Sequence, residues 1–232
     1  MKNTLKVTNV MSDPTRFNIY QHLIKNHEVV NVNNIAERFD IHPNVARLHL
    51  SKLEDINLVS SFLEKTGKGG RPGRMYKLSD EVIELNFPAR DYKILSSIAL
   101  ESLMDLGELG KQALYQTGKK YGIEAIENYS NTHQDDTSIE EKISMLEDAG
   151  RMLGMYPSFT HNPANNNISF SVNNCPFKEI ANDNHEAVCD MHHSFLKGMF
   201  EALFTCIELV EVKNMITDDC SSCAYVANLS NV

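Results

Sequence analysis

The chain has 232 residues, of which 42% are apolar and 23% charged, enough for one or two globular domains that bury a core without disulfide staples. No run approaches the ~18 apolar residues of a membrane span, and Met1 to Arg16 lacks the apolar stretch of a secretory signal, so a cytoplasmic protein with no membrane partner is expected. The net charge of −9 would exclude a nucleic-acid partner were it evenly spread, but residues 1–90 carry 13 basic against 10 acidic side chains and the remainder 9 against 21, which localises the basic charge at the front.

The front segment reads as short helices. Ser12, Asp13 and Pro14 supply a cap and a proline at the first helical position, after which Phe17, Tyr20, Gln21 and Ile24 line one face. Asn31 to Asn34 cap a second short helix, Ile35 to Phe39, and the turn Asp40, Ile41, His42 leads to Pro43 and a third. On that third helix Ala46, Leu50 and Leu53 point inward, which leaves Asn44, Arg47, Leu48, Ser51 and Lys52 outside. Two short helices joined by a tight turn describe a helix-turn-helix. Asn57 takes the left-handed position that ends the helix.

The extended runs Val59 to Leu63 and Met75 to Leu78 then flank a basic glycine-rich loop, Thr66 to Arg74. This is expected to form a β-hairpin wing. Its glycines permit close backbone approach to a phosphate surface, and Lys68, Arg71 and Arg74 supply charge. No Walker-type phosphate loop is present.

The run Asp13 to Arg16, the run His49 to Val59 and the wing Gly70 to Leu78 resemble winged-helix regulators of the ArsR/DeoR type. The resemblance implies that the third helix enters the major groove of double-stranded DNA, with His42, Asn44, Arg47, Leu48, Ser51 and Lys52 facing it. Arg47 is the candidate for a base edge, and Lys68, Arg71 and Arg74 would follow the backbone. His49 reads as packing.

From Asp91 to Gln116 one long helix is expected, its apolar residues covering more than one stripe. One face can pack on its own domain. The face left over suggests a second subunit, as a homodimer reading a palindromic operator would need. Asn128 to Thr137 reads as a loop, and Ser138 with Glu141 opens a helix carrying Ile139, Ile143, Leu146, Ala149 and Leu153 inward. Phe159 to His161 and Ile168 to Val172 form a hairpin around Asn165 to Asn167. Asp183 or Asn184, with Glu186, caps a last helix from about Ala187 to Thr205. Ile207 to Val212 and Cys223 to Ala227 are extended. The fold class is therefore α+β: a winged helix-turn-helix domain (1–88), a helical dimerisation region (89–136) and a C-terminal α+β sensor domain (137–232).

All five cysteines lie after residue 174. Cys175 sits at a strand end, Cys189 in the first turns of a helix where the macrodipole favours a thiolate, and Cys220 and Cys223 straddle a turn. That spacing gathers four soft donors around one metal centre. Cys206 extends the apolar stripe Val188, Met191, Phe195, Met199 and Leu203 and is expected in the core. Four thiolates suit zinc or an iron–sulfur cluster, and spacing does not decide between them.

The segments Asn174 to Phe177, His185 to Met191 and Cys223 to Tyr225 resemble the sensor half of the SufR-like repressors of iron–sulfur cluster assembly genes. The resemblance implies an iron–sulfur cluster, [4Fe–4S] rather than zinc, held by Cys175, Cys189, Cys220 and Cys223. His185, His192, His193 or a small molecule would complete the site if Cys220 did not ligate. The expected protein is a repressor that senses iron or redox status; a structural-zinc regulator answering a small molecule in an apolar pocket of residues 100–200 is the alternative. No cluster-binding C-x-x-C-x-x-C run, dinucleotide fingerprint or nucleophile motif points to an enzyme.

Overall fold

A computed structural model describes residues 2–64, 72–85, 88, 90–128 and 137–229. They divide into two compact units, Met1–Arg90 and Asp91–Val232. The structure mixes helix and sheet.

The first unit runs α1 (Lys2–Met11), α2 (Pro14–Asn26), α3 (Val32–Arg38), α4 (Pro43–Glu54), β1 (Val59–Glu64) and β2 (Gly73–Leu78). Local chemistry sets each boundary. The Asp13 carboxylate accepts from the Arg16 amide at 2.9 Å, with Pro14 at the first helical position. The Asn31 side chain accepts from the amides of Asn33 and Asn34, while the Asn34 side chain accepts from the Asn31 amide. Asn57 adopts φ 61°, the left-handed turn that ends the α4 segment. β1 and β2 pair antiparallel with Val59 opposite Leu78 and Glu64 opposite Gly73. Ile19, Leu23, Ile35, Ala46, Leu50, Leu53 and Tyr76 close the core.

Two features differ from the sequence expectation. Helix α1 was not foreseen, and its Val7 and Val10 are buried in this core. On α2 the inward face is Ile19, Leu23 and Ile24, whereas Phe17 is 40% exposed; the face drawn through Phe17 and Tyr20 was turned by about one residue.

The second unit holds α5 (Tyr92–Met104), α6 (Glu108–Glu127), α7 (Ile139–Met152), β3 (Pro157–Asn162), β4 (Asn167–Val172), α8 (Lys178–Ala181), α9 (His185–Glu201), β5 (Ile207–Lys213) and β6 (Cys223–Leu229). Its strands form one antiparallel sheet in the order β3-β4-β6-β5. Phe170 stacks between Phe159 and Tyr225 at 5.1 and 5.2 Å and leans on Phe200 of α9.

The single helix expected over Asp91 to Gln116 is two, broken at Gly107, whose φ of 63° only glycine adopts cheaply. Helices α5 and α6, in the region expected over 89–136, fall within this unit. Tyr92, Ile94, Leu95 and Ile98 of α5 remain more than half exposed, as do Leu106 and Leu109 beyond it. Among the described residues no helix is long and apolar enough to cross a membrane.

A close helix contact joins α6 to α9. Gly122 lies against the carbonyl of Phe195, Gly118 against that of Met191, and Gly198 of α9 against that of Lys119. The Ser194 hydroxyl donates to the Tyr115 carbonyl at 2.7 Å, and Lys119 pairs with Glu201 at 2.6 Å. A methyl added at Gly122 would stand 1.9 Å from the Phe195 oxygen, which is backbone and cannot swing aside. Gly122→Ala is therefore expected to destabilise the second unit by about 2 kcal/mol or more, with the first unit's unfolding unchanged. Urea unfolding followed separately in each unit checks this, and an unshifted midpoint for the second unit would contradict the close packing.

Candidate functional site

Three cysteines come together in the second unit. Val172, the end of β4, pairs with Cys223, the start of β6, and Cys175 follows three residues later. Cys189 lies in the second turn of α9, beside Phe177, Val188 and Ile216 in a small apolar cluster. Cys175 and Cys189 are half-buried, and Cys223 is buried. The Cys175 thiol feels the charges of both Cys223 and Cys189, and Cys223 that of Cys189.

Each of these sulfurs accepts a hydrogen bond. The Phe177 amide donates to Cys175, the Asn214 side-chain amide to Cys189, and the Met215 amide, at 3.3 Å, to Cys223. Donors aimed at sulfur stabilise thiolate and tune the metal it holds. Against them works burial, which pushes the Cys175 thiol up to about 12 and raises those of Cys189 and Cys223 as well. Burial thus works against the thiolate that the helix start is expected to favour at Cys189. Binding a metal there must expel protons.

Cys220 stands differently. It is half-buried, and its thiol donates to the Ser222 carbonyl at 3.2 Å instead of accepting. The structure therefore brings together Cys175, Cys189 and Cys223 of the four sequence candidates, and leaves Cys220 turned to its own loop. Cys206 is exposed, not in the core. Helix α9 stops at Glu201, so the period that would carry Cys206 inward ends before reaching it. The expected capping box at the start of α9 is also absent. Asn184 makes no side-chain cap, and Glu186 pairs with Lys111 at 2.9 Å.

Sequence reasoning passed over three neighbours of the thiols, Glu211, Asn214 and Tyr225. The Glu211 carboxylate accepts from Asn214 at 3.2 Å and bonds the Tyr225 hydroxyl. Strand alternation places Glu211 opposite Tyr225, the one signal that could have found them. Of the three histidines considered, His192 alone is brought to the thiols: it is 3% exposed with Nδ1 3.7 Å from Cys175 Sγ. Burial pulls its pKa down to about 4, so the ring is neutral. His193 instead meets the Leu209 carbonyl at 3.1 Å, and His185 is exposed. Among the described residues no group of three or more His, Cys, Asp or Glu is placed so that it could hold a metal ion.

In the first unit, α4 presents an outward face. His42 caps it, Nδ1 accepting from the Asn44 amide at 3.2 Å, and Pro43 opens it. His42, Asn44, Arg47, Leu48 and Lys52 are exposed and Ser51 half-buried, while Ala46, His49, Leu50 and Leu53 are buried. The Arg47 guanidinium donates to the Asn44 side chain at 3.1 Å, which holds it over the helix N-terminal half. Burial lowers the pKa of His49, which is 7% exposed and packs in the core of this unit. Lys68 and Arg71 lie outside the described residues. Arg74 is on β2, where it makes a two-pronged pair with Glu54 at 2.7 and 2.9 Å, donates to Ser61 and stacks over Tyr76. That pair ties the hairpin to α4.

Residues 11–61 match the helix-turn-helix domain family. The front of the chain is a helix-turn-helix domain. With the β1–β2 hairpin behind it, the domain supports a winged-helix, DNA-binding regulator of transcription. No curated protein matches the chain.

Thiol chemistry offers a direct check on the sulfur cluster. With burial holding down the thiolate fraction of Cys175 and Cys223, alkylation of metal-free protein at pH 8 should modify the exposed Cys206 well before either. Peptide mass spectrometry reads the order; equal rates at all three would contradict the arrangement.

Proposed function

We propose that the chain is a repressor whose operator affinity is set by a metal centre in its second unit, an iron–sulfur cluster, [4Fe–4S] by its likeness to the SufR-like repressors. The observation that supports this most is the meeting of Cys175, Cys189 and Cys223, each sulfur accepting a hydrogen bond, in a chain whose front is a helix-turn-helix domain. Those three residues would hold the centre together with one further donor, for which Cys220 and its tight C-x-x-C spacing remain the sequence candidate. When bound, such a centre supplies sensitivity to iron supply, oxygen and nitric oxide.

The chain's own residues carry the response. Cys175 follows β4, Cys189 rides on α9 and Cys223 begins β6, so drawing the three sulfurs together fixes helix against sheet. Helix α5 lies against the same place, since Leu100 and Met104 pack on Val188, Phe177 and Cys189. Its other face, Tyr92, Ile94, Leu95 and Ile98, is the apolar surface we assign to a second subunit. Ordering the thiol site thereby steadies the α5 face, and a homodimer built on that face presents two copies of α4 to a palindromic operator. Arg47, with Asn44, His42, Leu48, Ser51 and Lys52 around it, would read base edges, and Lys68 and Arg71 would follow the backbone. The protein acts by binding rather than by catalysis and would work in the cytoplasm.

Zinc suits the same sulfurs and would make the site structural. Among the described residues, the cavity lined by Leu146, Met155, Phe170 and Phe200 measures about 10 Å³, barely one water, and an open cleft lined by Gln116, Lys119, Ile123 and Glu127 measures about 390 Å³.

Cys175→Ser is expected to weaken operator binding at least tenfold relative to metal-loaded wild type, with residues 1–80 still folded. Fluorescence anisotropy on operator DNA, with circular dichroism as the folding check, measures both. A Cys175→Ser protein that binds as tightly as the loaded wild type would show that metal and operator are not linked.

A further inference from the structure

A pair of charges seats the hairpin on α4, and its task follows from the reading of α4 as the helix that meets DNA, on which this inference rests. Glu54 is the last residue of α4. It stands seven residues after Arg47 and three after Ser51, so it shares their stripe on the outward face of the helix. A free carboxylate at that place would repel a phosphate surface. Instead it is paired inside the protein. Glu54 is partly buried and accepts from the Arg74 guanidinium through both oxygens, at 2.7 and 2.9 Å, and from the Ser61 hydroxyl at 2.6 Å. Arg74 Nε donates in turn to the Ser61 hydroxyl at 2.9 Å. Burial works to raise the Glu54 carboxyl, and the bonds from Ser61 and Arg74 outweigh it, so the group lies below its ordinary range and is ionised at neutral pH.

Strand register explains how one arginine reaches these groups. In the β1–β2 ladder Arg74 lies opposite Leu63, and Tyr76 opposite Ser61. Arg74, Ser61 and Tyr76 therefore share one face of the hairpin, and the guanidinium stacks 5.4 Å over the Tyr76 ring. Burial holds the base of the hairpin: Val59 and Tyr76 are buried, and the Tyr76 backbone exchanges two hydrogen bonds with Val30, at 2.7 and 2.9 Å. Towards the other end that hold fades. Phe62, Leu63, Glu64 and Arg74 are all exposed. The Arg74–Glu54 pair is made there, in the half of the hairpin from which the chain runs on to Lys68 and Arg71. A fork of two parallel bonds fixes direction as well as distance, which a point charge does not.

We propose that Glu54 and Arg74 are positioning residues for DNA binding: the pair fixes the outer half of the hairpin against α4, so that wing and helix meet one duplex together, and neither side chain contacts the DNA itself. Arg74 thereby leaves the set of phosphate contacts that its basic neighbours Lys68 and Arg71 suggest. Two consequences separate this role from plain Coulomb attraction. Neutralising an acidic residue on a DNA-facing surface strengthens binding if charge alone counts; as half of a positioning pair, Glu54 weakens binding when it is neutralised. A phosphate contact tolerates lysine in place of arginine, because the charge is kept, whereas a two-pronged tie does not.

The test uses full-length protein, purified anaerobically, and a fluorescein-labelled duplex that the wild type selects from a random pool. Anisotropy at one fixed salt concentration gives the affinity, and circular dichroism with urea unfolding shows that each variant is fully folded under the assay conditions. Glu54→Gln, Arg74→Lys and Arg74→Ala are each expected to lose about fivefold in affinity, the factor that a well-formed surface pair can carry. Glu54→Gln combined with Arg74→Ala is expected to lose no more than either alone, since the two act as one unit. Glu54→Gln that binds as tightly as wild type, or tighter, would overturn the positioning role. So would Arg74→Lys that keeps wild-type affinity where Arg74→Ala loses it, and that result would return Arg74 to the phosphate contacts. A wild type that selects no duplex would instead overturn the reading of α4 as a DNA-binding helix, and the role of the pair with it.

Discussion

Three thiols are held in a partly dry pocket where each sulfur accepts a hydrogen bond while burial disfavours its charge. The two effects oppose each other, and in the metal-free state burial wins at all three. On the proposed reading a divalent metal or cluster would resolve the conflict, because it would neutralise the charge that desolvation penalises.

Those elements are few and directly linked. Helix α9 carries Cys189 and His192, and its backbone touches that of α6 through Gly118, Gly122 and Gly198. Leu100 of α5 packs onto Val188 and the thiol surroundings. A change at the sulfurs thus needs no long relay within the second unit to reach α5, whose Tyr92, Ile94, Leu95 and Ile98 are more than half exposed among the described residues. Coupling of this kind requires an element with two arrangements that both sites bias, and α5 is the element the packing nominates. On the DNA side, the pair between Arg74 and Glu54 does similar work on a smaller scale, since it fixes the hairpin against the helix proposed to read DNA.

Sequence and structure agree most closely where the signal is local. Asp13 with Pro14, Asn31 with Asn34, and His42 with Pro43 are caps whose partners lie two or three residues away, so the short helices could be placed from the residues alone. Failures came where a longer-range fact decided. Gly107 breaks a run whose apolar residues covered too many stripes for one helix, and that excess is how two phases look when read as one. Cys206 follows the period of a helix that has already ended. On α2 the polar and apolar residues allow two faces one residue apart, and only the rest of the core selects Ile19 and Leu23. At the thiol site the strand end, helix turn and strand start were legible, but Asn214, Glu211 and Tyr225 are brought in by sheet register. Nothing in the chain order announces that His192 rather than His185 or His193 faces Cys175.

The central claim is that the buried sulfurs exist to hold a metal centre, and the most direct test is an absorption spectrum of anaerobically purified protein with iron, acid-labile sulfide and zinc assayed on the same sample. The account predicts a brown protein with broad absorption near ~400 nm and iron and sulfide in equal amounts. A colourless protein that takes up neither cluster nor zinc after anaerobic reconstitution would contradict it.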